Sequence, residues 1–122
     1  MNNKKGVMKQ FIRVMKALSD PNRVRVLKLL EEDELCVCEI QSLLGLAQST
    51  VSKHMKLLED AGMVERKRQG TWIIYNLADG SESVYAETML LEMRHWLEND
   101  EELNRMRKAL PEAAVLRDGC PK

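Results

Sequence analysis

Two short amphipathic segments hinged on a glycine constrain this chain more than anything else in it. In ELCVCEIQSLLGLAQSTVSKHMKLL, residues 34–58, Val37, Ile40, Leu43 and Leu44 recur at steps of three and four. After Gly45 the pattern resumes with Val51, Met55 and Leu58. The spacing predicts two helices, each burying one face. Gly45 can take the left-handed conformation that ends the first, and Leu46 can then drop between the two. The pattern is that of a helix-turn-helix. Its second helix leaves Gln48, Ser49, Thr50, Ser52 and Lys53 outward at its start, side chains suited to base edges or phosphates in a major groove. At the start of the first helix stands a Cys-X-Cys pair, Cys36 and Cys38, on the element that would set the tilt of the second.

The flanking chain completes a domain around this motif. Val7, Met8, Phe11, Ile12, Met15 and Leu18 predict a first helix, and SDPNRVRVLKLL a second, capped by Ser19 or Asp20 with Pro21 at its first position. Val24, Leu27, Leu29 and Leu30 are its expected buried residues, and EEDE reads as a solvated turn. Beyond Ala61-Gly62, MVERKRQGTWIIYNL predicts two strands around a Gln69-Gly70 turn, with Arg66, Lys67 and Arg68 beside the tip. Directly after a helix-turn-helix, this is a wing. A long helix over about 83–97 carries Val84, Tyr85, Met89, Leu90, Met93, Trp96 and Leu97, a stripe wider than so small a core needs. Pairing of the first and last long helices with a second copy is expected from it. Asn99 or Asp100 caps a final helix that Pro111 is expected to stop, dividing the chain into a domain over 1–110 and a flexible tail over 111–122.

The chain is 122 residues long, 44% hydrophobic and 31% charged, and suits one domain. It has no signal-peptide pattern and no apolar run long enough to span a membrane, so a cytoplasmic protein is expected. Its three cysteines are an odd number, two of them too close to staple distant segments. In a reducing compartment they read as ligands or sensors. Net charge is zero, yet residues 1–77 carry 13 basic and 9 acidic side chains and residues 78–122 carry 6 and 10. One basic end can therefore face phosphates.

Cys36 reads as an N-cap with Glu39 three residues on, a capping box in which a thiol replaces the usual hydroxyl. A thiol is a weak acceptor, so the helix start gives up about 1 kcal/mol. Its position at a helix N-terminus is expected to lower the thiol pKa and favour the thiolate that binds soft ions. Two residues apart on a regular helix point about 200° from one another, so one ion can join both sulfurs only if this turn opens.

Three stretches, ALSDPNRVRVLKLL, ELCVCEI and QSTVSKHMKLLEDAGMVERKRQGTWIIYNL, resemble the ArsR/SmtB family of metal-responsive transcriptional repressors, over about half the chain. The resemblance implies an α+β, mainly α, homodimeric winged helix-turn-helix. It implies double-stranded operator DNA as partner, an imperfect palindrome contacted by Gln48, Ser49, Thr50, Ser52 and Lys53 and by the wing at Arg66, Lys67, Arg68 and Gln69. ELCVCE is similar to the arsenic-sensing branch, where the Cys-X-Cys binds arsenite or antimonite and the repressor leaves DNA. Ala47 stands where a capping Ser or Thr is common, Thr71 where a basic residue often follows the wing glycine, and Gln41 where close arsenic sensors have a third Cys.

The same family has a zinc or cobalt site on its last long helix, which maps onto Glu82, His95 and Glu98, with Val84 in place of one His. Cys120 is the one other thiol available as a third ligand beside Cys36 and Cys38. An oxidant or persulfide sensor using the same cysteines, or a zinc or cadmium sensor of the same fold, is the alternative function. A thiol enzyme is disfavoured, because no phosphate-type anion loop accompanies the cysteines and neither His54 nor His95 has a catalytic context.

Overall fold

The computed structural model describes residues 6–116. Their order is α1 (Val7–Ala17), α2 (Pro21–Leu30), β1 (Leu35–Cys36), α3 (Val37–Leu44), α4 (Gln48–Asp60), β2 (Val64–Gln69), β3 (Trp72–Leu77), α5 (Val84–Met93) and α6 (Glu101–Ala114). This is the expected winged helix-turn-helix. Local chemistry sets the boundaries. Asp20 accepts the N–H groups of Asn22 and Arg23 at 2.8 and 3.3 Å with Pro21 at the first helical position. Gly45 ends α3 at φ 69°, the left-handed cap that its lack of a Cβ permits.

Helices α1 to α4 enclose the core; α2, α3 and α4 contribute residues that sequence spacing selects, whereas α1 buries Val14 and Ala17 and leaves the selected Val7, Met8, Phe11 and Ile12 exposed. Val14, Leu27, Leu29, Ile40, Val51, Met55 and Leu58 are all sealed from solvent. The two wing strands lie antiparallel, in register from Val64↔Leu77 to Gln69↔Trp72.

Four features depart from expectation. A third strand, β1, pairs antiparallel with the inner wing strand, Leu35 opposite Tyr75 and Cys36 opposite Ile74, giving the order β1-β3-β2. The long helix α5 ends at Met93, and the chain then turns through Leu97, which sits at φ 65°. Pro111 does not stop α6, which runs on to Ala114, burying Ala113 while the exposed proline faces solvent. Proline breaks a helix by removing one N–H and crowding one carbonyl, and packing against α3, whose Ser42 and Leu43 line a cleft with Glu112 and Ala113, holds the last turn in spite of it. Finally, Lys28 is buried in full. Its ammonium donates to the Met93 carbonyl and pairs with Glu31 at 3.1 Å and Glu98 at 2.8 Å. Glu98 also accepts Arg107 of α6 at 3.0 Å, and Arg25 binds Asp100, the α6 cap, at 2.9 Å. These pairs fold α6 back over α2 and α3.

Candidate nucleic-acid interface and thiol site

Helix α4 presents the predicted reading face. Gln48, Ser49, Thr50, Ser52 and Lys53 are exposed, while Val51, Met55 and Leu58 anchor the opposite side. Ala47 provides no side-chain cap, which leaves the first N–H groups of α4 open to solvent or to a phosphate. Sequence reasoning missed how the helix is held from behind. The buried Arg23 guanidinium donates to the carbonyls of Ala17 and Lys16 at 2.8 and 3.0 Å and to His54 Nδ1 at 3.0 Å. Arg23 thus ties the α1–α2 corner to the recognition helix. Its signal lay in DPNRVRV, where an arginine shares a helix with a run of core residues.

The wing carries its four predicted residues, Arg66, Lys67, Arg68 and Gln69, on β2, all exposed. They are not equivalent. Arg66 lies 3.8 Å from Glu59 of α4 and beside Tyr75, whose hydroxyl burial pushes to higher pKa while Arg66 opposes the shift. Lys67 Nζ is 2.6 Å from Glu34, just ahead of β1. Arg68 and Gln69 reach the tip.

Cys36 sits where two elements meet. It is the last residue of β1 and, at φ −89° and ψ 168°, the N-cap of α3. Glu39 accepts its N–H at 2.8 Å, completing the capping box. The expected lowering of its pKa is reversed. Strand β3 and the core leave Cys36 only 1% exposed, and this burial, with the Glu39 carboxylate nearby, pushes the thiol up. Desolvation outweighs the helix terminus.

Cys38 is half-buried, disulfide-bonded, and lines an open cleft of about 600 Å³ with Gln41, Gln48 and the end of α6 at Val115 and Leu116. Cys120 lies outside the described residues. Glu82, His95 and Glu98 are not gathered into a site. His95 and Glu98 fall beyond the end of α5, which removes the shared helical face their spacing implied, and Glu98 is taken by Lys28 and Arg107. Among the described residues no group of three or more His, Cys, Asp or Glu side chains is placed to hold a metal. No described helix is long and apolar enough to cross a membrane.

Comparison with known proteins accords with this geometry. The family described as bacterial regulatory protein, arsR family, matches residues 20–66, which span α2, the helix-turn-helix and the start of the wing. The cadmium resistance transcriptional regulatory protein CadC homolog of Staphylococcus aureus is 33% identical over 96 residues, covering 75% of this chain and 79% of its own. The arsenical resistance operon repressor of Bacillus subtilis is 31% identical over 77 residues, covering 62% and 73%. Among solved structures, the homodimeric winged helix-turn-helix DNA-binding domain of Mb0332 from Mycobacterium bovis, a possible ArsR-family regulator, aligns with TM-score 0.64 at 30% identity. That alignment covers 86% of this chain and 92% of that one. With a reading helix and a basic wing, and with relatives of this kind covered over most of their length, this chain is a DNA-binding transcriptional regulator and belongs to the arsR family of bacterial regulatory proteins.

Proposed function

We propose that the chain is a homodimeric cytoplasmic repressor that leaves an imperfect palindromic operator when Cys36 and Cys38 bind arsenite, antimonite or another thiophilic ion. The observation that carries this reading is the double duty of Cys36 as strand residue and helix cap. An ion must be held by deprotonated sulfurs, so a cellular thiol must first reduce the disulfide at Cys38, and the Cys36 thiol, whose burial pushes its pKa up, must then give up its proton. Capture therefore draws Cys36 out of its place, opening the capping box and the pairing with Ile74. Because α3 packs on α4, the recognition helix moves with it. The coupling is reciprocal, so operator DNA weakens ion binding by the factor by which the ion weakens DNA binding.

Cys120 is the proposed third thiolate. Leu116 lines the same cleft as Cys38, and the four residues from there to Cys120 span at most about 13 Å, at roughly 3.3 Å each. A redox-sensing repressor of the same fold is the second reading, favoured by a disulfide at Cys38 close in sequence to the buried thiol of Cys36. Dimerisation through α1 and α5 is supported by the exposed Val7, Met8, Ile12, Val84 and Leu91 around the edge-to-face pair Phe11 and Tyr85, 5.4 Å between centroids.

The test is operator binding titrated with arsenite, antimonite, bismuth and cadmium under strict reduction, and separately with peroxide. It uses the wild type and the variant with Cys36→Ser and Cys38→Ser. Release by a thiophilic ion in the wild type alone is expected. Release by peroxide alone favours the redox reading, and release of both proteins by the ions overturns the thiol site. In the same assay Arg68→Ala should flatten the salt dependence of operator binding; an unchanged slope removes the wing tip from the DNA.

A further inference from the structure

The sheet places the sensing thiol and the wing in one row. Cys36 of β1 is opposite Ile74 of β3, and Ile74 is opposite Lys67 of β2, so three consecutive strands carry the cysteine, an isoleucine and a wing lysine side by side. A second link crosses the same strand. Glu34, two residues before Cys36, sets its carboxylate 2.6 Å from Lys67 Nζ. Both links originate within three residues of chain that the ion must displace. Neither passes through α3 or α4.

We propose that Glu34 is a positioning residue for operator binding, and that the thiol site acts on DNA by a second route, through β1 and the wing, besides the tilt of the recognition helix. This rests on the repressor reading above. In the DNA-binding form the Cys36–Ile74 pairing and the Glu34–Lys67 ion pair hold β2 and β3 at a fixed angle to the helix-turn-helix. An ion that draws Cys36 off β3 carries Glu34 with it, and the wing loses both restraints. An edge strand of only two residues is easily lifted, since it contributes few ladder bonds and little buried surface. Tyr75, opposite Leu35, is buried at the base of the wing, whereas residues 65–70 toward its tip are exposed.

The wing has its own reporter. The chain has two tryptophans, Trp72 on β3 and Trp96. In a Trp96→Phe background the emission of Trp72 reads the wing alone. Antimonite is expected to shift that emission, and Glu34→Gln to reproduce part of the shift without the ion. The ratio of operator affinities without and with antimonite should fall by about two- to fivefold in Glu34→Gln, the scale of a half-exposed ion pair. Glu65→Gln removes the same charge from the wing without touching β1, and should keep the parent ratio. If Glu34→Gln and Glu65→Gln give equal ratios, or antimonite releases the operator with Trp72 unchanged, the wing route is overturned and release through α3 stands. If antimonite releases no operator from the parent protein, the repressor reading falls and this proposal with it.

Discussion

Cys36 shows how far one residue can be understood from its neighbours in sequence. The box C-V-C-E announced the N-cap and its partner Glu39, and the structure contains both. The ionisation of the thiol could not be read there, because the strand that buries it arrives from Ile74, 38 residues later. Replacing the thiol by a hydroxyl separates these roles. Cys36→Ser supplies a better acceptor at the N-cap, so thermal denaturation of the reduced protein should show stability kept or raised by up to about 1 kcal/mol. Response to thiophilic ions should be lost. Lys28 teaches the same lesson. Within RVRVLKLL it reads as an ordinary charged residue, yet it is wholly buried, since Met93 and Glu98 come from 65 and 70 residues away to receive it.

At the scale of elements, the sequence disclosed whatever has a period. The first four helices, the two wing strands and the cap at Asp100 all lie close to where spacing and capping chemistry put them. Strand β1 was illegible because two residues have no alternation to detect. The ends of α5 and α6 were misread for a different reason. Trp96 and Leu97 extend the apolar stripe in sequence, but pairing of Glu98 with Lys28 and Arg107 draws the chain out of the helix before them.

Gly80 controls the entry to α5. It sits at φ 81°, and a Cβ there would lie 2.7 Å from the Glu87 Cα, a backbone atom with no freedom to swing aside. Gly80→Ala should therefore lower stability by about 2 kcal/mol or more. Urea unfolding should show this as a reduced midpoint at unchanged slope.

Across the whole molecule, charge rather than apolar burial alone decides where the C-terminal helix rests. Hydrogen bonds from Lys28 and then Arg107 pull the Glu98 carboxyl from 4.5 down to about 2. A group whose pKa falls on folding contributes stability above its unfolded value, and that contribution fades as pH drops from about 4.5 toward 2. Acid titration followed by circular dichroism should thus show the wild type losing stability over this window. Glu98→Gln, less stable at neutral pH, should lose less of what it has. The fold-back also decides where the molecule tolerates cargo. Leu116 and Val115 share a cleft with Gln48, the first residue of the reading helix, so the end of α6 lies on the operator side. A fluorescent protein or affinity handle joined there would crowd both the double helix and the Cys38 cleft. The same cargo placed ahead of α1 should leave operator affinity higher, a difference that gel-shift comparison of the two fusions would read directly. For reporter strains and biosensors built on this chain, the amino end is the place to attach.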